Sequence, residues 1–379
     1  MKKAPVLLIS LTISVIALAS STITPMNKAF NSLGELLPYL TDESKFKDKK
    51  NEETILQHIK EIDQAFKVAK HGELLKKDIF APSLALIRDN ISNSREAFLN
   101  GKKDYAHWRM KEITNQCLDC HTRLPSTHPS SFQEGFQFID SKKIPDAFNL
   151  GITYLIVRQY PEAKTAFTRK IDESFLKSDI KEVMPSLKQL LMIHTKIMKE
   201  PEQMLTLITH YETKKGFTQA DRELFKSWKE RLAVWKENPA TKNPLDTESE
   251  TSEFVVKSVK PLFSKDDLYL GKFDVDLLMV SGLLSNYLFE NPESKLAPEV
   301  LYWIGLSEKY LRREEFFGTG DLLLKECVRR YSLSPVAKKC YQEYKDSMEF
   351  EFTGSRGTQI PVEVKKELEE LEKLLNKRK

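Results

Sequence analysis

The chain has 379 residues, which is enough for two or three domains that each bury a core of their own. It carries 59 lysine and arginine residues against 55 aspartate and glutamate residues. This near balance gives no support to a nucleic-acid partner, and none is expected.

Residues 1–19 differ in composition from the rest of the chain. Two lysines precede an apolar run from Val6 to Leu18, which ends in the small-residue motif A-L-A. This order is typical of a secretory signal peptide cleaved before Ser20, whereas an uncleaved membrane anchor, the alternative, usually has a longer apolar run. No later segment is apolar for long enough to cross a bilayer. We therefore expect an exported, periplasmic protein whose mature chain has no transmembrane span.

Residues 20–130 contain four segments whose apolar side chains alternate at four-and-three spacing, which is the period of helices packed in a bundle. The four stripes are Met26, Phe30, Leu33, Leu37 and Leu40; Ile55, Ile59, Ile62, Phe66 and Ala69; Phe80, Leu84, Ile87, Ile91, Ser94 and Phe98; and Ala106, Met110, Ile113, Cys117 and Cys120. Thr24 is the expected N-cap of the first helix. The pattern predicts an all-α fold that begins with an up-down-up-down four-helix bundle, with a cofactor between facing helices.

The last of these helices ends in CLDCH, and this C-x-x-C-H pattern is the attachment motif of a c-type haem. The thiols of Cys117 and Cys120 would each add to a haem vinyl group, and His121 would be an axial ligand of the iron. A redox C-x-x-C site would need a βαβ context, and a zinc site would need a second pair of ligands nearby. Neither is visible in the sequence.

A helical bundle whose last helix ends in C-x-x-C-H resembles the cytochrome c-prime family. The resemblance covers Thr24 to Leu124, and CLDCH is its one sharp motif. It implies one covalently attached haem c, with thioether bonds to Cys117 and Cys120 and with His121 as the proximal ligand. Family members usually carry an arginine a little further past the histidine than Arg123 lies.

The sixth ligand position of the iron decides between an electron carrier and a gas binder. In such a bundle the start of the first helix and the ends of the second and fourth helices meet, so Met26 and His71 fall near His121. His58 and His107 lie about three or more turns away along their helices. Met26, on the predicted core stripe, is the leading candidate distal ligand, as in the six-coordinate relatives of cytochrome c-prime. An open position, with Met26 only packed against the ring, and ligation by His71 are the alternatives.

Residues 131–237 have the pattern of helical hairpins. Leu150, Gly151, Tyr154, Ala163 and Phe167 fall at the offsets of a tetratricopeptide repeat, in which small residues let two helices cross closely. The pattern predicts a tetratricopeptide-like repeat domain, and an irregular helical domain that is no true solenoid is the alternative.

Residues 238–253 contain two prolines and no periodicity, which predicts a linker or a long loop. Residues 254–379 are expected to hold further repeats and a C-terminal helix that caps them. Within them, Trp303 and Gly305 occupy the tight-packing positions of a segment that resembles the tetratricopeptide-type repeats of periplasmic and outer-membrane assembly proteins.

The other cysteines, Cys327 and Cys340, lie about equally far from a turn near Ser332 to Pro335. On antiparallel helices this symmetry places them side by side, and export permits oxidation. We predict a disulfide between them, with two free buried thiols as the alternative.

No catalytic motif is recognisable, so a redox carrier is expected in place of an enzyme. The sequence predicts an exported monohaem c-type cytochrome for electron transfer or haem-based sensing, with repeats that bind a redox or envelope protein partner. One alternative is a periplasmic scaffold or assembly protein whose haem domain is regulatory or structural. Another is a five-coordinate haem protein that binds nitric oxide or carbon monoxide.

Overall fold

The computed structural model describes residues 25–40, 42–69, 80–126, 144–265, 268, 271–313, 320–355, 357–360 and 362–376. These residues are all-α apart from one short hairpin, which confirms the predicted fold class. No helix in these ranges is both long and apolar enough to span a bilayer. The predicted signal peptide, residues 1–19, and Thr24 lie outside the described residues.

The chain divides into two compact units. The first unit holds Met1–His121 and Pro129–Ala166, and the second holds Thr122–His128 and Phe167–Lys379. The first unit therefore includes part of the segment that is predicted to form repeats. The domain boundaries expected from the sequence stay predictions. The helices of the first unit are α1 at residues 25–40, α2 at Glu43–Lys47, α3 at Glu52–Ala69, α4 at Ala81–Leu99, α5 at Lys103–Thr122, α6 at Ala147–Ile156 and the start of α7 at Tyr160–Leu176.

Most of the predicted stripes in the first unit are buried. The apolar stripes of α3 and α4 are buried at Ile55, Ile59, Ile62, Phe66, Leu84, Ile87, Ile91 and Phe98. In α1 the buried face differs from the predicted one, because Ala29 and Leu36 join Leu33 and Leu40 while Met26 is half-buried. The two faces are adjacent and have the same four-and-three spacing, so periodicity alone does not choose between them.

The segment between α1 and α3, which carries no apolar stripe in the sequence, holds the short helix α2. Asp42 caps this helix by accepting hydrogen bonds from the backbone N–H groups of Ser44 and Lys45. The hydroxyl of Ser44 also donates to the same carboxylate, and this bond, together with the backbone bond from Lys45, lowers the pKa of Asp42 to about 2. Phe46 on α2 is fully buried, with its ring centroid 5.4 Å from that of Phe98 and 4.9 Å from that of His107. One aromatic side chain thus anchors the segment to the helices beneath it.

Polar contacts connect the long helices of the first unit. Ser32 on α1 donates to Glu61 on α3 at 2.7 Å, and Ser94 on α4 donates to the carbonyl oxygen of Ala106 on α5 at 2.9 Å. The Nε2 atom of His107 on α5 lies 2.9 Å from the carbonyl oxygen of Leu40 at the end of α1. Helices α3 and α4 also pack against each other.

The second unit begins in α7 and continues as a series of helices. They are α8 at Val183–Met192, α9 at Pro201–Tyr211, α10 at Gln219–Glu237, α11 at Pro239–Lys242, α12 at Glu248–Phe254, α13 at Lys260–Leu262, α14 at Asp274–Glu290, α15 at Ala297–Arg313, α16 at Gly320–Arg330, α17 at Pro335–Glu351 and α18 at Val362–Asn376. Single π-helical turns, at Ile193–Ile197 and Val255–Val259, follow α8 and α12. Strands β1 at Thr353–Gly354 and β2 at Gly357–Thr358 pair antiparallel, Thr353 opposite Thr358.

Two short helices occupy most of residues 238–253, where the sequence indicated a linker or a long loop. Asn238 caps α11, and Thr247 forms a capping box with Glu250 at the start of α12. These caps satisfy backbone N–H groups within very short helices, which carry no periodicity that a sequence pattern could detect.

Consecutive helices in the second unit pack against each other, with α14 on α15, α15 on α16 and α16 on α17. Gly305, predicted as a tight-packing position, lies where α15 crosses α16 closely. A Cβ atom added to Gly320 on α16 would come within 2.4 Å of the carbonyl oxygen of Gly305. Trp303 packs beside this crossing, with its ring centroid 5.2 Å from that of Phe263.

The C-terminal helix α18 packs on α16 and α17 through Leu368, Leu371 and Leu375, which are buried. Beside them Glu367 accepts hydrogen bonds from Lys325 on α16 at 3.0 Å and from the hydroxyl of Tyr344 on α17 at 2.6 Å. Helix α18 therefore buries its leucine face against the two helices that precede it, and its role as a cap on repeats stays a prediction.

Cys327 on α16 and Cys340 on α17 are joined by a disulfide, with their Cα atoms 6.2 Å apart. Both residues are fully buried. The bond closes a short hairpin, since the two cysteines are 13 residues apart in the chain.

Removing this bond should lower the free energy of unfolding by about 3 kcal/mol, since the cross-link restricts the unfolded chain. We expect this loss for the Cys327→Ala, Cys340→Ala double variant in denaturant titration. The wild type under reducing conditions should fall towards the variant. Wild-type stability that does not respond to reductant, together with two alkylation-reactive thiols in unfolded, unreduced protein, would rule the bridge out.

The Glu367 contacts predict a stability difference that depends on pH. Burial alone would raise the pKa of Glu367, but the hydrogen bond from Tyr344 and the charges of Lys325 and Arg329 lower it overall. The carboxylate therefore stabilises the fold above its unfolded pKa, and this contribution disappears as the pH falls through the lower folded pKa.

Glu367→Gln should lower the free energy of unfolding by about 1 to 2 kcal/mol at pH 7, because a neutral amide oxygen accepts weaker hydrogen bonds than a carboxylate does. The difference from wild type should shrink below about pH 4. Glu370→Gln, at an exposed position of the same helix, is the matched control and should change stability little. Equal losses of stability in the two variants at pH 7 would show that the contacts of Glu367 do not stabilise the fold.

Candidate functional site

The C-x-x-C-H motif forms the last turns of α5, on one continuous helix. Cys117 and Cys120 are three residues apart, so their side chains lie on the same side of the helix. Both residues are half-buried and both thiols are free. Their neighbours Leu118 and Asp119 are buried, so the end of α5 is enclosed on more than one face.

The environment of the two thiols disfavours thiolate chemistry. Burial raises the pKa of Cys117 to about 12, and burial together with the neighbouring Cys117 raises the pKa of Cys120 to about 12. Both groups are therefore protonated at neutral pH. Redox cysteines and zinc ligands need the opposite, an environment that stabilises the thiolate.

His121 is held by a hydrogen bond to the backbone of another helix. Its Nδ1 atom donates to the carbonyl oxygen of Ile156, the last residue of α6. A carbonyl oxygen can only accept, so this contact assigns the ring proton to Nδ1 and leaves a lone pair on Nε2. Metal-binding histidines are typically oriented in this way, by a carbonyl or carboxylate on the second ring nitrogen.

His121 is also kept neutral, as a metal ligand must be. Burial lowers the pKa of His121 to about 4, the bond to Ile156 opposes this shift, and the positive charge of Arg158 adds to it. The residues present thus fit a covalently attached haem, because they provide two protonated thiols and one neutral imidazole on a single helix end.

The conformation at the end of α6 explains why the carbonyl of Ile156 can accept this bond. The N–H of Arg158 donates to the carbonyl of Leu155 at 3.1 Å, and the N–H of Gln159 donates to that of Tyr154 at 2.9 Å. This is the Schellman ending, which satisfies two of the last helical carbonyls and leaves that of Ile156 for another donor. Arg158 has the left-handed φ of 62° that the motif needs.

The corner between α6 and α7 has a role that its sequence does not indicate. The sequence predicts a tetratricopeptide-type hairpin here, and its residues Leu150, Ala163 and Phe167 are buried. The contact with His121, however, uses a main-chain oxygen 35 residues away in sequence. Every residue type has such an oxygen, so no sequence signal could have found it.

The structure describes one of the two candidate distal ligands, Met26. Met26 is the second described residue of α1 and is half-buried beside the buried face. Its ligation of the iron stays a prediction. His71 lies outside the described residues.

The other histidines predicted to be far from the motif have local partners. His107 is buried, with its ring against Phe46 and its Nε2 bonded to the backbone of Leu40. His58 is half-buried, with Nδ1 at 3.1 Å from the carboxylate of Glu61 on the same helix. Both have structural roles within the first unit.

A buried ion pair in the second unit was also missed. Lys196, on the π-helical turn after α8, lies 2.6 Å from the carboxylate of Glu308 on α15, and both side chains are almost fully buried. Burial lowers the pKa of Lys196, although the charge of Glu308 opposes the shift. Ser281 on α14 also donates to Glu308.

Arg123, two residues after His121, belongs to this second unit. It is fully buried, and burial lowers its pKa to about 10 while Glu308 opposes the shift. The ion pair of Lys196 with Glu308 joins residues that are 112 positions apart, so no sequence pattern could predict that they are in contact.

Within the described ranges, no group of three or more histidine, cysteine, aspartate and glutamate side chains could hold a metal ion by itself. Comparisons with protein families, with curated proteins and with solved structures found no match to this chain. The residues of the C-x-x-C-H motif and their surroundings are therefore the features of this chain that point to a function.

Proposed function

We propose that this chain is an exported monohaem c-type cytochrome that serves in electron transfer or haem-based sensing. The observation that carries the proposal is the C-x-x-C-H motif whose histidine donates through Nδ1 to the carbonyl of Ile156. That bond leaves Nε2 as the one ring nitrogen able to bind iron.

Cys117 and Cys120 would hold the haem covalently. Each Sγ atom would form a bond to one carbon of a vinyl group, and the thiol proton would go to the other carbon as the double bond becomes a single bond. The bound haem supplies an iron that gains and loses one electron. The contribution of the chain is to fix the ring orientation of His121 and to keep water away from it, since burial sets its neutral state.

We further propose that the first unit is a four-helix bundle like that of cytochrome c-prime, formed by α1, α3, α4 and α5. Contacts between α1 and α3, α3 and α4, α4 and α5, and α5 and α1 support this arrangement, because each helix then has two neighbours. The buried stripes of α3 and α4 support it as well.

The second unit would bind a redox or envelope protein partner through tetratricopeptide-like helical repeats. Its consecutive packed helices and the close crossing at Gly305 support a repeat architecture, since such repeats stack neighbouring hairpins into one core. A periplasmic location follows from the proposed signal peptide at residues 1–19.

A second candidate function is a five-coordinate haem protein that binds nitric oxide or carbon monoxide. The position of Met26 favours it, because Met26 is half-buried beside the most buried face of α1 and not on it. A side chain in that place can pack against a haem edge without reaching the iron.

Haem attachment is the direct test of the main proposal. The full chain, made in a host competent for cytochrome c maturation, should stain for haem after denaturing electrophoresis. Cys117→Ala with Cys120→Ala should abolish the stain, because no thioether can form. Cys327→Ala with Cys340→Ala is the matched control that also removes two cysteines, and it should keep the stain. An unstained wild type would end the haem interpretation.

Replacing Met26 separates the two candidate functions. If Met26 binds the iron, Met26→Ala should convert a low-spin absorption spectrum to a high-spin one and admit carbon monoxide readily, since a thioether ligand is lost. Phe30→Ala, one turn further along α1, is the control and should leave the spin state unchanged. A wild-type spectrum that is already high-spin would exclude Met26 and support the gas-binding function.

A further inference from the structure

The corner between α6 and α7 places a buried positive charge beside the candidate haem motif. Arg158 is only 1% exposed, and its Nε atom donates to the hydroxyl of Tyr160 at 2.8 Å. It lies two residues after Ile156, whose carbonyl accepts the bond from His121. The same short segment thus orients the histidine and holds the guanidinium.

The backbone at Arg158 does not favour an arginine. Its φ of 62° is in the left-handed region, where glycine is the usual residue at the end of a helix. A residue with a Cβ atom costs about 1 to 3 kcal/mol there. A buried arginine keeps its proton, so Arg158 holds a positive charge in this segment. The strained backbone at this position indicates that the side chain itself has a role.

We propose that Arg158 is an electrostatic determinant of the redox equilibrium, and that its fixed charge near His121 favours reduced over oxidised haem iron. The inference rests on the proposed function as a c-type cytochrome. Oxidised haem carries one more positive charge than reduced haem, and repulsion from a nearby cation is strong where burial lowers the effective dielectric constant. Arg158 thus raises the midpoint potential through its field, while His121 is the residue that binds the iron.

Two substitutions distinguish the effect of the charge of Arg158 from the effect of its hydrogen bond to Tyr160. Arg158→Gln removes the charge and keeps hydrogen-bond donors for Tyr160, whereas Arg158→Lys keeps the charge. Arg109→Gln is the matched control, because Arg109 lies on the same helix as His121 and bonds to Asn90 and Tyr105. It is twelve residues from His121, which is about 18 Å along the helix.

The experiment is a spectroelectrochemical titration of the purified haem proteins at one pH and ionic strength. Arg158→Gln should lower the midpoint potential, with a shift of about tenfold in the ratio of oxidised to reduced protein, or about 59 mV for one electron. Arg158→Lys and Arg109→Gln should stay close to wild type. If Arg158→Gln does not accumulate, Arg158→Met removes the charge without burying a polar group and should give the same lowered potential.

Two outcomes overturn the inference while the proposed function stands. One is a haem-loaded Arg158→Gln or Arg158→Met protein with the wild-type potential. The other is an equal shift in Arg109→Gln, which would mean that net charge and not position matters. A wild type without covalent haem is a different result, since it removes the proposed function and this inference together.

Discussion

The hydrogen bond from His121 Nδ1 to the carbonyl oxygen of Ile156 is the interaction on which the candidate site depends. It joins the end of α5 to the end of α6 and fixes one tautomer of the half-buried ring. The acceptor is available because the Schellman ending satisfies the carbonyls of Tyr154 and Leu155 and leaves the next one. The C-terminal carbonyls of a helix also carry partial negative charge, which strengthens a bond to an N–H donor.

The same enclosure sets the chemistry of all three motif side chains. Burial raises the pKa of both thiols and lowers that of the imidazole, so each group is held in its neutral form. Neutral thiols suit addition to a carbon–carbon double bond better than they suit metal binding, and a neutral imidazole suits iron. One physical cause, burial, thus keeps all three side chains neutral, which is compatible with covalent haem attachment and with iron ligation.

Local patterns predicted more of this molecule than long-range contacts did. The helices α3, α4 and α5 follow from stripe periodicity, and the Cys327–Cys340 pairing follows from the symmetry of the two cysteines about a turn, because both signals are short in range. The short helix α2 was missed since its stability comes from Asp42 and from Phe46 packed on Phe98, which no periodicity reports. The buried Lys196–Glu308 pair and the Ile156 acceptor are contacts between distant segments, and their residue types alone carry no sign of them.

Three of the described helices are followed by a residue other than glycine in the left-handed conformation. Arg158, Ser178 and Lys199 have left-handed φ values of 62°, 57° and 56°, and each follows the last turn of a helix. Ser178 is small and near the surface, so its cost is local. Arg158 is buried and Lys199 is half-buried, and burial lowers the pKa of Lys199 to about 8. Glycine would relieve the backbone at both positions, yet each carries a cation, and the cation of Arg158 lies in the segment that orients His121.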